Sequence, residues 1–235
     1  AGLQGARIGI ARQVYTGYSP KVDAVFNAAV EQMRQLGAVI VDPADIPTAK
    51  AMAESKSEET VLLFELKAGL NSYLADLASS PVRTLADIIA FNEAHAEEEL
   101  PYFGHEHFVQ AEATSSLDDP TYLAALEENR RLARQEGIDA VMDAYELDAL
   151  VVPTISLPCR IDLLNGDSFA GGGTQPAALA GYPGISVPTG FSFGLPVGLI
   201  FMGRAYSEPT LIKLAYAFEQ GTQARRAPQY LSTTP

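Results

Sequence analysis

Few side chains in this sequence have the type and spacing that nucleophilic or metal chemistry needs. His105 and His107 are two residues apart, a spacing that turns side chains to opposite sides of a helix. A zinc site needs three or four converging ligands, and no group of residues has that spacing. Cys159 is the only cysteine, and no histidine lies near it in the sequence. We predict no metal site and an inert thiol, with a histidine distant in sequence as the alternative partner of Cys159.

Serine and lysine residues also lack the surroundings of an activated nucleophile. The sequence has no Ser-x-x-Lys pair, and Ser186 within Gly184–Pro188 only loosely resembles a nucleophile elbow. An elbow turns from a strand into a helix, whereas Val187-Pro188 continues an extended run, so Ser186 is interpreted as a strand residue. Lys67 lies in an apolar helical segment, where a partly buried lysine is one interpretation and a surface lysine whose ammonium reaches water is the favoured one. Motifs alone therefore identify no catalytic machinery.

A glycine-rich segment, Gly171-Gly172-Gly173-Thr174, precedes a short predicted helix. Glycines let backbone N–H groups approach a ligand closely, and a helix N-terminus attracts anions. The segment lacks the lysine of a P-loop and the spacing of a dinucleotide-binding fingerprint. We interpret it as a flexible pocket loop rather than a phosphate site.

Composition narrows the classes of partner. Of the 235 residues, 47% are hydrophobic and 19% charged, which is typical of a globular chain with a sizeable core. The net charge of −13 favours solubility and repels phosphate backbones and anionic lipid, so we expect no nucleic-acid and no membrane partner. The chain begins Ala1-Gly2, without Met, and enters a strand-like run almost at once. We therefore expect a fragment cut at a loop.

Hydrophobic periodicity predicts an α/β fold with a helical insertion. A strand at Ala6–Ala11, a helix from Ser19-Pro20 to Gly37 and a strand at Ala38–Val41 form a βαβ unit, which predicts a parallel strand pair. Further elements are predicted at residues 55–146 (helices), 148–152 (strand), 175–180 (helix), 184–188 and 195–202 (a strand hairpin), and 208–220 (helix). We assign a βαβ start (1–45), a helical region (55–146), a sheet and pocket region (147–224) and a tail (225–235), all parts of one domain.

Several stretches resemble motifs of one enzyme family. They are Asp-Ala-Leu-Val-Val-Pro-Thr (148–154), Ala-Gly-Tyr-Pro-Gly-Ile-Ser-Val-Pro-Thr-Gly (180–190), Gly-Leu-Pro-Val-Gly-Leu (194–199) and the Glu-Gln that ends the last helix (219–220). Together they resemble the amidase signature family. Residues 2–9 resemble the start of that family's second half, and residues 63–69 are similar to its peptide amidase branch. The resemblance covers nearly the whole chain.

This resemblance implies a large mixed sheet flanked by helices, and chemistry without a metal or cofactor. In the family a serine attacks a carboxamide carbonyl, and a second serine, preceded by a cis peptide bond, relays its proton to a lysine. These residues belong to the N-terminal half, and none of them can be assigned here. We therefore expect the C-terminal half of an amidase, inactive alone, with the N-terminal half of the same protein as its partner.

The resemblance also assigns a substrate-binding loop to this chain. Its residues are Ser168, Phe169, Gly171, Gly172, Gly173, Thr174 and Gln175. Gly171 stands where glutamine-using members carry an acidic residue for the substrate's α-amino group. The missing charge favours a neutral, larger amide such as a peptide C-terminal carboxamide over glutamine.

Two other hypotheses remain open. The chain is alternatively a non-catalytic domain that binds amides or docks onto a partner, or an A-type subunit of an amidotransferase complex. A Gly/Ser-rich segment with a preceding lysine, encoded upstream, would favour the amidase over the non-catalytic domain. We also expect exposed apolar surface where the N-terminal half would pack.

Overall fold

The computed structural model describes residues 2–230. The chain divides into two compact units, one made of residues 1–54 and 130–235 and the other of residues 55–129. The first unit contains five strands: β1 (Arg7–Ile10), β2 (Val39–Val41), β3 (Ala149–Pro153), β4 (Gly184–Ser192) and β5 (Leu195–Met202). They form one sheet in the order β2-β1-β3-β5-β4.

The sheet is mixed, as the resemblance predicted. β1 pairs in parallel with β2 and with β3, which confirms the parallel pair predicted from the βαβ pattern. β5 runs antiparallel to β3 and to β4. β4 and β5 are joined through Phe193 and Gly194, whose φ angles of 50° and 72° are those of a tight hairpin turn.

Helices cover both faces of this sheet within the first unit. They are α1 (Pro20–Gln35), α2 (Ala49–Glu54), α8 (Asp139–Tyr145), α9 (Gln175–Ala180) and α10 (Glu208–Thr222), with a π-helical turn at Arg134–Ile138. Successive residues of β3 face opposite sides, as a strand requires. Val151 belongs to a core with residues of α1 and α10, and Val152 to a core with residues of α2, α8 and α9.

Local sequence explains where α1 begins and which face it buries. The Ser19 hydroxyl accepts a hydrogen bond from the Val22 N–H, and Pro20 occupies the first helical position. The apolar face predicted from the spacing is buried at Val22, Phe26, Ala29, Val30 and Met33.

The second unit is helical. It contains α3 (Ser57–Asp76), α4 (Leu85–Ala94), α5 (Ala96–Glu99), α6 (Glu106–Glu112) and most of α7 (Pro120–Ala133). Thr84 and Asp87 form a complete capping box at the start of α4. None of the helices within residues 2–230 combines the length and the apolar character needed to cross a membrane.

Lys67 is partly buried, so the favoured surface interpretation was wrong and the alternative is confirmed. Its ammonium does not reach into water but donates to the carbonyl oxygens of Glu112 and Thr114, at 2.6 and 2.8 Å. The side chain is 24% exposed and also lies 3.4 Å from the Glu112 carboxylate. Lys67 therefore supplies partners for carbonyls at the C-terminal end of α6, which a helix cannot satisfy by itself.

Candidate functional site

The segment between β3 and α9 forms a loop whose two ends are paired with each other. Ile155 and Gly172 form an isolated antiparallel bridge. The Ser156 N–H donates to the Gly171 carbonyl at 2.8 Å, and the Gly173 N–H donates to the Thr154 carbonyl at 3.1 Å. Residues 157–170 therefore form a loop whose ends are hydrogen-bonded together at the carboxyl end of the central strand, β3.

Two glycines of this loop, Gly171 and Gly173, are required by the chain's own packing. A Cβ at Gly173 would lie 2.1 Å from Val152 Cγ2 and 2.7 Å from the Pro153 carbonyl oxygen. At Gly171 the φ angle is +152°, and a Cβ would lie 2.7 Å from Cδ1 of Tyr18. From the sequence we attributed the glycines to close approach of a ligand. The structure gives Gly171 and Gly173 a packing reason, and close approach of a ligand to these glycines stays a prediction.

The other predicted substrate-binding residues lie on both sides of these glycines. Ser168 lies on the wall of a cavity, and Phe169 is 69% exposed. Thr174 is exposed, precedes α9 and makes no side-chain cap, while Gln175 is half-buried and begins the helix. The predicted residues therefore form the end of one loop and the start of α9, and their role in substrate binding stays a prediction.

The cavity beside this loop has a volume of about 340 Å³, and we call it the loop cavity. Its wall is formed by Ser19, Ser156, Leu157, Cys159, Arg160, Asp162, Gly166, Ser168 and Ala170. Of these, only Ser168 was predicted as a site residue. The others come from the start of α1 and from a loop without periodicity, so no sequence pattern placed them together. Cys159 is exposed here.

The two charged groups on the cavity wall differ in their hydrogen bonding. The Asp162 carboxylate accepts hydrogen bonds from the N–H groups of Leu164 and Asn165, both at 3.0 Å, and from Asn165 Nδ2 at 2.8 Å. These bonds, with the Asn165 side chain first, lower the pKa of Asp162. Arg160 has no ion pair or hydrogen bond to any residue within 2–230. The wall therefore carries one positive and one negative charge, and of the two only the Asp162 carboxylate is hydrogen-bonded within the described residues.

Two tyrosines before α1 have buried hydroxyls. Neither Tyr15 nor Tyr18 has a hydrogen-bond partner for its hydroxyl within residues 2–230. Burial raises the pKa of Tyr18 to about 12 and raises that of Tyr15 further. Both phenols therefore remain protonated near neutral pH.

The end of α9 is fixed by a small polar network. Arg134 Nε donates to the carbonyl of Ala180 at 2.6 Å, and its guanidinium lies 5.6 Å from the centre of the Tyr182 ring. The Tyr182 hydroxyl donates to Asp139 at 2.8 Å. Gly181 ends the helix with a φ of 63°. These contacts hold the end of α9 against the π-helical turn and α8 within the first unit.

Ser186 is a strand residue, as predicted. It lies in β4, and its hydroxyl is 2.7 Å from the Thr154 hydroxyl, which is not a base that could activate it. A second serine, Ser192, lies in Gly190–Gly194, which has the letters of a Gly-x-Ser-x-Gly elbow and was missed in the sequence. This stretch joins two antiparallel strands instead of leading into a helix, so it is not an elbow.

Comparison with known proteins identifies relatives of this chain. The sequence model of the family described as Amidase matches residues 2–212. A probable amidase from Arabidopsis thaliana is 36% identical over 236 residues, which cover 99% of this chain and 41% of the relative. The A-type subunit of the glutamyl-tRNA(Gln) amidotransferase from Moorella thermoacetica is 32% identical over 236 residues, which cover 95% of this chain and 46% of the relative.

The fold also matches a solved enzyme. A peptide amidase, whose crystal structure contains the competitive inhibitor chymostatin, superposes with a TM-score of 0.89 at 47% sequence identity. The superposition covers 97% of this chain and 46% of the peptide amidase chain. The chain thus spans less than half the length of each of these three relatives. It belongs to the amidase signature family.

Proposed function

We propose that the protein containing this chain hydrolyses a carboxamide C–N bond, and that its substrate resembles that of a peptide amidase. The carrying observation is the 47% identity to a peptide amidase across 97% of this chain. This value exceeds the 32% identity to the Moorella amidotransferase protein. The chain contributes the substrate-binding half of the enzyme.

The division of labour follows from what amide hydrolysis needs. A nucleophilic oxygen must add to the carboxamide carbon, a proton must reach the departing ammonia, and water must then release the acyl group as a carboxylate. We assign the attacking serine, the relaying serine after a cis peptide bond and the lysine base to an N-terminal half. The Ser186–Thr154 hydroxyl pair supports this assignment, because neither group is a base.

The exposed apolar side chains of the loop support an N-terminal partner half. Five large apolar residues are exposed between positions 155 and 169: Ile155, Ile161, Leu163, Leu164 and Phe169. Such a concentration is costly in water, and it is common at surfaces that another protein segment covers. We propose that the N-terminal half packs against this part of the loop and completes the substrate pocket with residues 168–175.

The ring of Tyr18 supports a substrate whose α-nitrogen is uncharged. Its ring occupies the space that any side chain at Gly171 would need. A carboxylate for an ammonium group therefore has no room there while Tyr18 is present. The pocket would accept a blocked α-nitrogen, as in an acylated amino-acid amide.

The second candidate is the A-type component of an amidotransferase, and the match to the Moorella protein supports it. The two candidates differ in substrate. The protein expressed from the complete coding sequence should release ammonia from N-acetylated amino-acid amides with a higher kcat/KM than from glutamine. A preference for glutamine, strengthened by a partner protein, would reject the peptide-amidase proposal in favour of the amidotransferase. Release from neither substrate would reject both.

A further inference from the structure

The π-helical turn after α7 places one cation at the C-terminal end of α9. Arg134 begins this turn, and its Nε donates to the Ala180 carbonyl at 2.6 Å. A Cβ at Gly137 would lie 2.3 Å from the Leu132 carbonyl oxygen, so the turn requires a glycine at that position. π-helical turns are rare, and they occur frequently at functional sites. The placement of Arg134 is therefore determined by the backbone of this turn.

The contacts of Arg134 are directed to the end of α9. Its guanidinium lies 5.6 Å from the centre of the Tyr182 ring, and it forms no ion pair with a carboxylate within residues 2–230. A cation that donates to the last carbonyls of a helix also interacts favourably with the negative end of the helix dipole. The Tyr182 ring is itself held by the bond from its hydroxyl to Asp139. Arg134 therefore acts as the cap of α9.

α9 is short, so the position of its end determines the position of its start. Its six residues span about 9 Å. A helix of this length is not stable alone in water and depends on contacts with the rest of the fold. Ala177 and Ala180 pack into the core, but apolar contacts are not directional, whereas the hydrogen bond from Arg134 is. Arg134 therefore orients the helix that Gln175 begins.

We propose that Arg134 is a positioning residue of the amidase, which acts through the Ala180 carbonyl to hold Thr174 and Gln175 where the substrate binds. Arg134 itself does not contact the substrate. Groups that are held in place before the substrate arrives bind it more tightly, because less freedom is lost on binding. The reacting serines and the lysine are assigned to the N-terminal half, so loss of this positioning should weaken binding more than the chemical step. The inference rests on the proposed amidase function.

Steady-state kinetics of the complete protein on an N-acetylated amino-acid amide test this role. Arg134→Met keeps an unbranched apolar stem but removes the donor, and it should raise KM by about tenfold while kcat changes by less than about twofold. Arg134→Lys retains a cation that can donate to the same carbonyl, so it should recover part of the lost affinity. The matched control Lys67→Met removes a cation from carbonyls at the end of α6, in the second unit, and should leave KM unchanged.

Two further measurements connect the change in KM to α9. Gln175→Ala should raise KM by itself, and its effect combined with that of Arg134→Met should be less than additive, because both act at the start of α9. Hydrogen exchange of the backbone amides of residues 177–182 should be faster in Arg134→Met, while that of β5 should be unchanged. Circular dichroism checks that the variants are folded. If Arg134→Met does not fold, Arg134→Gln takes its place, with a smaller expected rise in KM.

The outcomes separate this inference from the proposed function. An unchanged KM in Arg134→Met, or an equal rise in Lys67→Met, overturns the positioning role while the amidase proposal stands. Additive effects of Arg134→Met and Gln175→Ala, or unchanged exchange in α9, overturn it as well. If the complete protein hydrolyses no amide, the amidase proposal is rejected, and the positioning role is rejected with it.

Discussion

Gly171→Ala should destabilise the chain through its backbone conformation and through Tyr18. The φ angle of +152° is one that residues with a side chain rarely adopt, and holding alanine there costs about 1–3 kcal/mol. The new Cβ would also lie 2.7, 2.9 and 3.0 Å from three ring atoms of Tyr18. Overpacking of this kind costs about 1–3 kcal/mol. We expect the free energy of unfolding to fall by about 2–6 kcal/mol.

Two further variants separate these contributions. Gly166→Ala, in the same loop, meets no atom within 4 Å and has a φ of +79°, so it measures the cost of a positive φ without a steric clash. Tyr18→Ala combined with Gly171→Ala removes the clash but keeps the backbone cost. The double variant should be more stable than the sum of the single effects predicts by about 1–3 kcal/mol.

Urea unfolding of the 235-residue chain, followed by circular dichroism, measures Gly171→Ala, Gly166→Ala, Tyr18→Ala and the double variant. The explanation is refuted if Gly171→Ala costs no more than Gly166→Ala, or if the effects at positions 171 and 18 add. The result also bears on substrate choice. An acidic residue introduced at position 171 needs the Tyr18 ring removed as well, so substrate preference is best compared in Gly171→Asp with Tyr18→Ala and in Tyr18→Ala alone.

Three other substitutions test the packing and charges of the two units. Tyr15→Phe should raise the free energy of unfolding by about 1 kcal/mol in urea, because it removes a buried hydroxyl without a partner. Burial raises the folded pKa of Tyr15, so the free energy of unfolding keeps its full value below the unfolded pKa of 10.0 and falls as the pH rises from there through the folded pKa. Tyr15→Phe should weaken this alkaline loss, and a destabilised variant would reveal a partner for the hydroxyl. Lys67→Met should lower the free energy of unfolding by about 1–3 kcal/mol, because two carbonyls lose their partner. The control Lys50→Met, at an exposed ion pair, should lower it by less than about 1 kcal/mol. Equal losses would contradict the capping role of Lys67. Hydrogen bonds from Arg83 and Thr84 lower the pKa of Asp87. The stability that Asp87 contributes is therefore present above 3.8 and is lost as the pH falls through the lowered folded pKa. In acid titrations monitored by circular dichroism, Asp87→Asn should flatten this loss, and an identical acid profile would contradict the prediction.

Elements with strong local determinants could be predicted from the sequence. Ser19-Pro20 marks the start of α1, and its buried face follows the 3.6-residue spacing. β5 was predicted with the bounds that the structure has, because Leu195–Met202 is a continuous apolar run after a turn. The mixed character of the sheet required the family resemblance, because strand order depends on contacts between residues distant in sequence.

The candidate site depends on such distant contacts and was only partly predictable. The glycine segment was evident, but the reason for Gly171 is the ring of Tyr18, more than 150 residues earlier in the chain. Lys67 was misinterpreted because its partners, Glu112 and Thr114, follow it by over 40 residues. Arg160 has no motif around it, and only the folded loop places it on the same wall as Ser156.

Ammonia release from an N-acetylated amino-acid amide tests most directly whether this chain is the substrate-binding half of an amidase. It should be measured on the protein expressed from the complete coding sequence, upstream residues included, and on residues 1–235 alone at the same concentration. We predict turnover by the complete protein and none by the 235-residue chain. Turnover by the chain alone that persists after removal of Ser186 and Cys159, with a contaminant control, would contradict this account of where the chemistry occurs.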